Sequence, residues 1–225
     1  SSRKRLHQRC LFKILRMIAL FDFDGVLMDT ETQYTRFWDD AGKKFADIDG
    51  FGHIIKGQTL VQILGKYFAD HSEADRRLII DMINDFERNM VFEFIPGAWE
   101  FLAELKQAGI PSAIVTSSND QKMSQVYKAH PQLHTMVDAV LTSEHFSRSK
   151  PDPECFLKGM EILGATPQET FVFEDSLHGI NAGRASGAHV IGLATTNPRE
   201  VIAPLCDIVI DDFRLFTLSD CRELM

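Results

Sequence analysis

Six short apolar runs, most of them closed by acids, hydroxyls or amides and separated by helix-like segments, constrain this 225-residue chain more than any other feature. Ile18-Ala19-Leu20-Phe21, Ile110 to Thr116, Ala139 to Thr142, Phe171 to Glu174, His189 to Leu193 and Ile208 to Ile210 are continuous rather than alternating, and so read as strands buried on both faces. Between most of them the pattern is helical: Ala98 to Ala108 closed by Gly109, Gln121 to Ala129 after a cap at Asn119 or Asp120, Pro153 to Leu163 closed by Gly164, and Leu177 to Ser186 closed by Gly187. Thr166-Pro167-Gln168-Glu169 reads as one capped turn before the next strand. Such alternation predicts an α/β fold, a doubly wound parallel sheet with helices on both faces.

The alternation breaks between Glu31 and Phe94. Tyr34 to Lys44, Leu60 to Phe68 and Glu73 to Phe92 look helical with no strand among them, and in the last Leu78, Ile79, Met82, Ile83 and Phe86 share a face. Residues 31–94 are therefore expected to form a small all-helical domain inserted after the first strand. Residues 17–30 and 95–225 would form the core domain, with Ile95-Pro96-Gly97 as a hinge.

Residues 1–16 differ in kind. They carry six positive charges and no acid, so subtracting them from the net charge of −8 leaves −14 on the rest. Three readings stand: an extension upstream of a start at Met17, a transit-like or polybasic arm, or a solvated ordered tail. Lys13 and Arg16 interrupt its apolar pairs, so it lacks the uninterrupted apolar h-region of a secretory signal. The acidic body argues against a nucleic-acid partner, and no run reaches the roughly 18 apolar residues of a membrane span. Cys10, Cys155, Cys206 and Cys221 contain no C-x-x-C, so neither a zinc knuckle nor a disulfide framework is suggested and the expected location is the cytoplasm. No sequence feature specifies an oligomeric state.

The chemistry gathers at the strand ends. Asp22 and Asp24, two apart, leave the same face at the carboxyl edge where open α/β sheets place ligands. Two carboxylates that close call for a cation or a proton between them. This suggests a metal, with Asp22 as nucleophile and Asp24 as a proton-bearing acid and later base. Thr116-Ser117-Ser118-Asn119 offers hydroxyls and backbone N–H groups at a helix start, a fit for phosphate. Lys150 supplies a cation in the turn Lys150-Pro151-Asp152-Pro153, and Glu174-Asp175 supplies hard oxygen ligands suited to Mg²⁺. Each has an ordinary alternative: a polar turn at Asp22, a helix cap at residues 116–119 or at Asp175, a surface lysine at 150. Charge favours the joint reading. Asp22, Asp24, Glu174 and Asp175 sum to −4, which Lys150 and one Mg²⁺ reduce to −1.

In order along the chain, Asp22-x-Asp24-Gly25-Val26, Thr116, Lys150-Pro151-x-Pro153 and Glu174-Asp175 with Gly179 resemble the four motifs of the haloacid dehalogenase superfamily, over essentially the whole chain from Met17. The helical insert resembles the small cap of the group that includes β-phosphoglucomutase, phosphoglycolate phosphatase and phosphonatase. The resemblance implies a Rossmann-like core, an aspartyl-phosphate intermediate on Asp22, acid/base work by Asp24, and Thr116 and Lys150 on the phosphoryl group. It also implies Mg²⁺ held by Asp22, the Asp24 carbonyl and Asp175, with Glu174 a ligand directly or through water. Ser117, Ser118, Asn119 and Lys56 are the further phosphate or substrate candidates.

Within that superfamily the acid at position 24 disfavours dehalogenation. A phosphonatase would need a cap lysine for a Schiff base, and Lys56 is the tempting one, though a solvated or phosphate-oriented lysine is the simpler reading. The segment Lys56-Gly57-Gln58-Thr59-Leu60 resembles the mutase cap segment, but Leu60 stands where the mutases carry an Arg that grips a second phosphate, and Tyr34 where they carry a His. The expectation is a Mg²⁺-dependent phosphatase acting on a small phosphorylated metabolite. A β-phosphoglucomutase-like mutase is the alternative, and a non-catalytic phosphometabolite sensor is a third. His130 and His134 flank Pro131 and read as loop residues rather than metal ligands, and His53 is a minor substrate-contact candidate.

Overall fold

The structure, a computed structural model, describes residues 16–225. The basic extension expected over residues 1–16 thus lies, except for Arg16, outside the described residues, as does Cys10. Six parallel strands form one sheet: β1 (Ile18–Phe21), β2 (Ser112–Val115), β3 (Ala139–Leu141), β4 (Thr170–Glu174), β5 (His189–Leu193) and β6 (Ile208–Ile210). Their order is β3-β2-β1-β4-β5-β6, so the chain runs outward from β1 on one side and then returns to build the other. Ligands in such sheets bind at the carboxyl edge where the order reverses, here beside β1 and β4.

Side-chain alternation divides the core. Phe21, Phe101, Phe173, Phe213 and Phe216 pack on one face, with Phe21 and Phe173 stacked at 4.5 Å. Ile18, Leu20, Val115 and Val172 meet Phe156 and Met160 on the other. The helices between strands fall within a residue or two of the sequence expectation: α5 (Ala98–Gln107), α6 (Asp120–Ala129), α8 (Glu154–Leu163) and α9 (Leu177–Ala185). Short helices complete the core: α7 (Leu133–Met136), α10 (Arg199–Ile202) and α11 (Leu218–Glu223).

Between β1 and α5 the named elements among the described residues are all helices: α1 (Glu31–Ala46), α2 (Phe51–Ile54), α3 (Leu60–Tyr67) and α4 (Glu73–Arg88). They share an apolar cluster of their own, formed by Trp38, Ala41, Phe51, Ile55, Ile63, Phe68, Ile79 and Ile83. The α3 start is fixed by a capping box in which Thr59 and Gln62 exchange hydrogen bonds. Helix α4 corrects the expected face. Leu78 is 44% exposed, whereas Glu87 is buried, because the 3.6-residue period that buries Ile79 and Ile83 brings position 87 to the same side. The chain enters and leaves this unit along neighbouring segments: the Asp29 N–H donates to Glu93 O at 2.8 Å and the Ile95 N–H to Leu27 O at 2.9 Å.

His130 and His134 do not form a metal pair. His130 Nε2 bonds Phe92 O at 2.6 Å, while the His134 ring sits 5.8 Å from that of Tyr127. Cys155, Cys206 and Cys221 are free thiols. Among the described residues no helix is long and apolar enough to cross a membrane.

Candidate active site

Register brings the first motif residue to its partners. Phe21 pairs with Phe173 on one side and Ile114 on the other, so the next residue, Asp22, emerges level with Glu174 and Val115. Lys150 reaches all three, donating to Asp22 Oδ1 at 2.9 Å, Glu174 Oε1 at 2.6 Å and Val115 O at 3.2 Å. The surface-lysine reading fails, since Lys150 is 1% exposed. Glu174 is held further by N–H groups of Asp175 (3.1 Å) and Ser176 (3.4 Å) on Oε2. Ser176, not Asp175, caps α9 by accepting from the Gly179 N–H at 3.0 Å, which leaves the Asp175 carboxylate available.

Carboxylate oxygens of Asp22, Glu174 and Asp175 lie within 4.8 Å of one another, and all three residues are buried in the same group. Burial pushes the Asp22 carboxyl up to about 8, with Glu174 adding to the rise and Lys150 opposing it. Burial, then Glu31, Glu174 and Asp22, likewise raise Asp175. With all three carboxylates ionised, Lys150 would leave two negative charges, which burial resists by raising Asp22 and Asp175 and which one divalent cation would neutralise. All-oxygen donors of this kind suit a hard ion such as Mg²⁺. The donor set therefore fits the metal that the sequence motifs imply.

The turn after β1 is shaped around Asp175. Gly25 has φ +75°, and a Cβ there would stand 2.2 Å from Asp175 Oδ2. From the loop after β5, Thr196 Oγ1 donates to the same Asp175 oxygen, Asn197 Nδ2 donates to Asp175 O at 2.9 Å, and Thr195 Oγ1 donates to Gly25 O. Sequence reading did not single out these three residues, whose only sign was a polar run closing a strand.

Asp24 faces away from the acidic trio. Thr30 Oγ1 donates to its Oδ1, and Oδ2 receives both the Ser118 hydroxyl at 2.9 Å and the ammonium of Lys122. Asp24 and Lys122 form a neutral pair, and the Asp22, Glu174, Asp175 and Lys150 set comes to zero with one divalent ion rather than to −1. Lys122 escaped notice although its position carried a signal: a cation in the first turn of α6 opposes the helix dipole, so its presence asks for an acid nearby.

Thr116 is 1% exposed, and its Oγ1 accepts from the Ser118 N–H at 3.0 Å. Asn119 serves as the N-cap of α6, accepting from the Lys122 N–H at 2.9 Å, and Ser117 Oγ donates to Gly57 O at 3.3 Å. That last contact joins core to insert. Lys56, expected on substrate, pairs instead with Glu31 Oε2 and donates to Thr35 Oγ1 at 2.8 Å. Glu31, missed in the sequence, is the first residue of α1. A cavity of about 730 Å³ lies between the strand ends and the insert, lined by Asp22, Asp24, Thr116 to Asn119, Lys150 and Asp175 below and by Glu31, Tyr34, Lys56 and Gln58 above.

A doubly wound sheet with a lysine-bridged aspartate at the end of its first strand and a helical roof over it places the chain among α/β enzymes whose site lies at the carboxyl edge of the sheet. The family described as haloacid dehalogenase-like hydrolase matches residues 19–193, and the chain belongs to that family. It is 32% identical over 182 residues to hexitol phosphatase A of Escherichia coli (strain K12), covering 77% of this chain and 81% of that protein. It is 27% identical over 232 residues to a β-phosphoglucomutase of Mycobacterium tuberculosis (strain CDC 1551 / Oshkosh), covering 86% and 88%. A haloacid dehalogenase hydrolase of family IA, variant 3, from Entamoeba histolytica shares the fold with a TM-score of 0.79 at 21% identity, over 92% of this chain and 98% of that one.

Proposed function

We propose that this enzyme is a Mg²⁺-dependent phosphatase that releases phosphate from a small phosphorylated, hydroxyl-rich metabolite through an aspartyl phosphate on Asp22, with residues 31–94 acting as the cap over the site. One observation carries the choice of hydrolysis over mutase action. The cations lining the cavity besides Lys150 are already ion-paired: Lys56 with Glu31, Lys122 with Asp24 and Arg148 with Glu154. A mutase must grip a second phosphate, and an unpaired cation on the cap side would serve that end. The paired groups offer hydrogen bonds to hydroxyls instead. The name of the Escherichia coli relative, a hexitol phosphatase, supports a polyol or sugar phosphate.

In this reading the Thr116 hydroxyl and the N–H groups at the start of α6 receive the phosphoryl oxygens, and Lys150 offsets their charge while keeping Asp22 aimed. An Asp22 carboxylate oxygen attacks phosphorus, the bond from phosphorus to the ester oxygen breaks, and that oxygen takes a proton from Asp24, which must leave its ion pair with Lys122 and take up a proton from solvent before this step. Water then attacks the phosphorus, Asp24 accepts its proton, and the Asp22 carboxylate departs. The sum is ester plus water to alcohol plus phosphate. Asp22, Asp175 and the Asp24 carbonyl would hold Mg²⁺, with Glu174 anchoring Lys150 beside them. Bound there, the ion would offset the surplus carboxylate charge that would otherwise repel the phosphate. The cap excludes bulk water from the intermediate.

A panel of sugar and polyol phosphates incubated with the enzyme and Mg²⁺, followed for free phosphate and for isomerised ester, tests this. Phosphate release that is lost in Asp22→Asn is expected. Isomerisation outrunning release would establish the mutase reading, and metal-dependent binding without turnover would establish a sensor.

A further inference from the structure

Three consecutive residues of the loop after β5 reach the site without taking part in the phosphoryl chemistry. Thr196 Oγ1 donates to Asp175 Oδ2, Asn197 Nδ2 donates to Asp175 O at 2.9 Å, and Thr195 Oγ1 donates to Gly25 O. Asp175 is thus held at its carboxylate and at its backbone carbonyl, and the turn that follows Asp24 is held by the same loop. The loop is itself secured by β6 on both sides. At its start the Ala194 N–H donates to Ile210 O at 2.9 Å, and just past its end Arg199 donates to Val209 O at 2.6 Å and pairs with Asp211 at 2.9 Å. Strand β5 lies beside β4 and away from β1, so these three residues tie the outer half of the sheet to the two strand ends that supply Asp22 and Asp175. Asp175 is buried, but burial alone does not set which way its oxygens face, because the outer torsion of an aspartate is broad. A hydrogen bond to one oxygen does.

We propose that Thr196 is a positioning residue: its hydroxyl fixes the Asp175 carboxylate in the orientation that receives the divalent cation, while Asn197 and Thr195 hold the Asp175 backbone and the Gly25 turn in place around it. The proposal rests on the reading of Asp175 as a Mg²⁺ ligand and goes beyond it by naming what aims that ligand. A hydroxyl suits the task because it is neutral. It orders the carboxylate without cancelling the charge that attracts the cation, whereas an ammonium at the same place would compete with the metal, as Lys150 does at Asp22 and Glu174. Hydrogen-bond partners of ligating carboxylates orient them, and losing one costs about 10–100-fold in metal affinity. A loop that made these contacts only to fold itself would behave differently. Removing the hydroxyl would then lower stability with or without metal and leave the affinity for Mg²⁺ untouched.

The test is the dissociation constant for Mg²⁺ alone, measured on the full chain by isothermal titration calorimetry without substrate. Thr196→Val keeps nearly the same shape and removes the hydroxyl; Thr196→Ser keeps the hydroxyl. Thr196→Val should bind Mg²⁺ about 10–100-fold more weakly than wild type. Its melting temperature in EDTA should fall by no more than about 4 °C, the scale of one lost hydrogen bond. Thr196→Ser should bind as wild type does. An unchanged dissociation constant in Thr196→Val, or an equal weakening in Thr196→Ser, would overturn the proposal. If Thr196→Val does not fold, Asn197→Ala decides: weaker binding is expected there, and wild-type affinity overturns the proposal. Asp175→Asn separates the positioning role from the reading beneath it. Weakened binding in Asp175→Asn with none in Thr196→Val removes the positioning role alone. Wild-type affinity in Asp175→Asn, or no Mg²⁺ binding by the wild-type protein, removes the metal reading and this proposal together.

Discussion

A Cβ at position 179 would stand 2.0 Å from the Glu174 carboxyl, the group that anchors Lys150 beside Asp22. Glycine here concerns space, not backbone freedom. Gly179→Ala should lower stability by about 1–3 kcal/mol, the usual range for overpacking, and thermal melting read with phosphate release should show both falling. A melting temperature unchanged from wild type would mean that Glu174 moves aside freely. The residues legible in the sequence were those whose chemistry is unusual for a strand end: Asp22, Asp24, Thr116, Lys150, Glu174 and Asp175 all line or adjoin one site. Lys122, Glu31 and Thr196 were not legible, because each derives its meaning from a partner far along the chain. Lys122 meets Asp24 98 residues away, Lys56 meets Glu31 at a distance of 25, and Thr196 meets Asp175 at 21. No local pattern encodes those pairings.

Helices α1 and α4 present Tyr34 and Glu87 toward α6, so the contact between insert and core is polar at its centre. Burial raises the Glu87 carboxyl above its ordinary value of 4.5, and the Lys122 charge and the Tyr34 hydroxyl only partly oppose this. The folded state therefore binds this proton more tightly than the unfolded chain does. Glu87 thus subtracts from stability as pH rises from 4.5 through its raised folded value, and subtracts nothing below 4.5. Glu87→Gln, which still accepts from Tyr34, should melt higher than wild type at pH 7.5, at about 2–4 °C per kcal/mol for a protein of this size, and equally at pH 4. A gain that persists at pH 4 would assign it to something other than the carboxyl charge. At this scale the sequence was read well where hydrophobic period or a strand-ending acid marked an element. It was read poorly for α2, α7 and α10, each of four residues, since one turn is too short to display a period. Helix α4 ends four residues before the expected Phe92, because Met90 and Phe92 are apolar for a different reason: they enter the core cluster with Ile95.

The molecule as a whole is an acidic body in which part of the negative charge is concentrated at one buried point. Asp22, Glu174 and Asp175, when ionised, exceed the charge of Lys150 by two, and burial opposes that ionisation at Asp22 and Asp175 unless a cation is bound. Mg²⁺ should consequently stabilise the native state by mass action, by about 2.7 kcal/mol at a hundredfold excess over Kd. The melting temperature should rise with Mg²⁺ in wild type and stay flat in Asp175→Asn. A metal-independent melting temperature in wild type would count against the site. Doubly wound topology, the helical insert and its position after the first strand were all legible, since they follow from alternation and its interruption. The cavity was not, because it exists only once α1 and the Lys56 loop lie across the ends of β1 and β4. What the account rests on most is that Asp22 carries the phosphoryl group. Acid-quenching the enzyme during turnover and reducing it with borohydride, which converts an aspartyl phosphate to homoserine, should yield homoserine at position 22 by peptide mass spectrometry. Steady turnover with residue 22 remaining aspartate, or homoserine at another carboxylate, would contradict it.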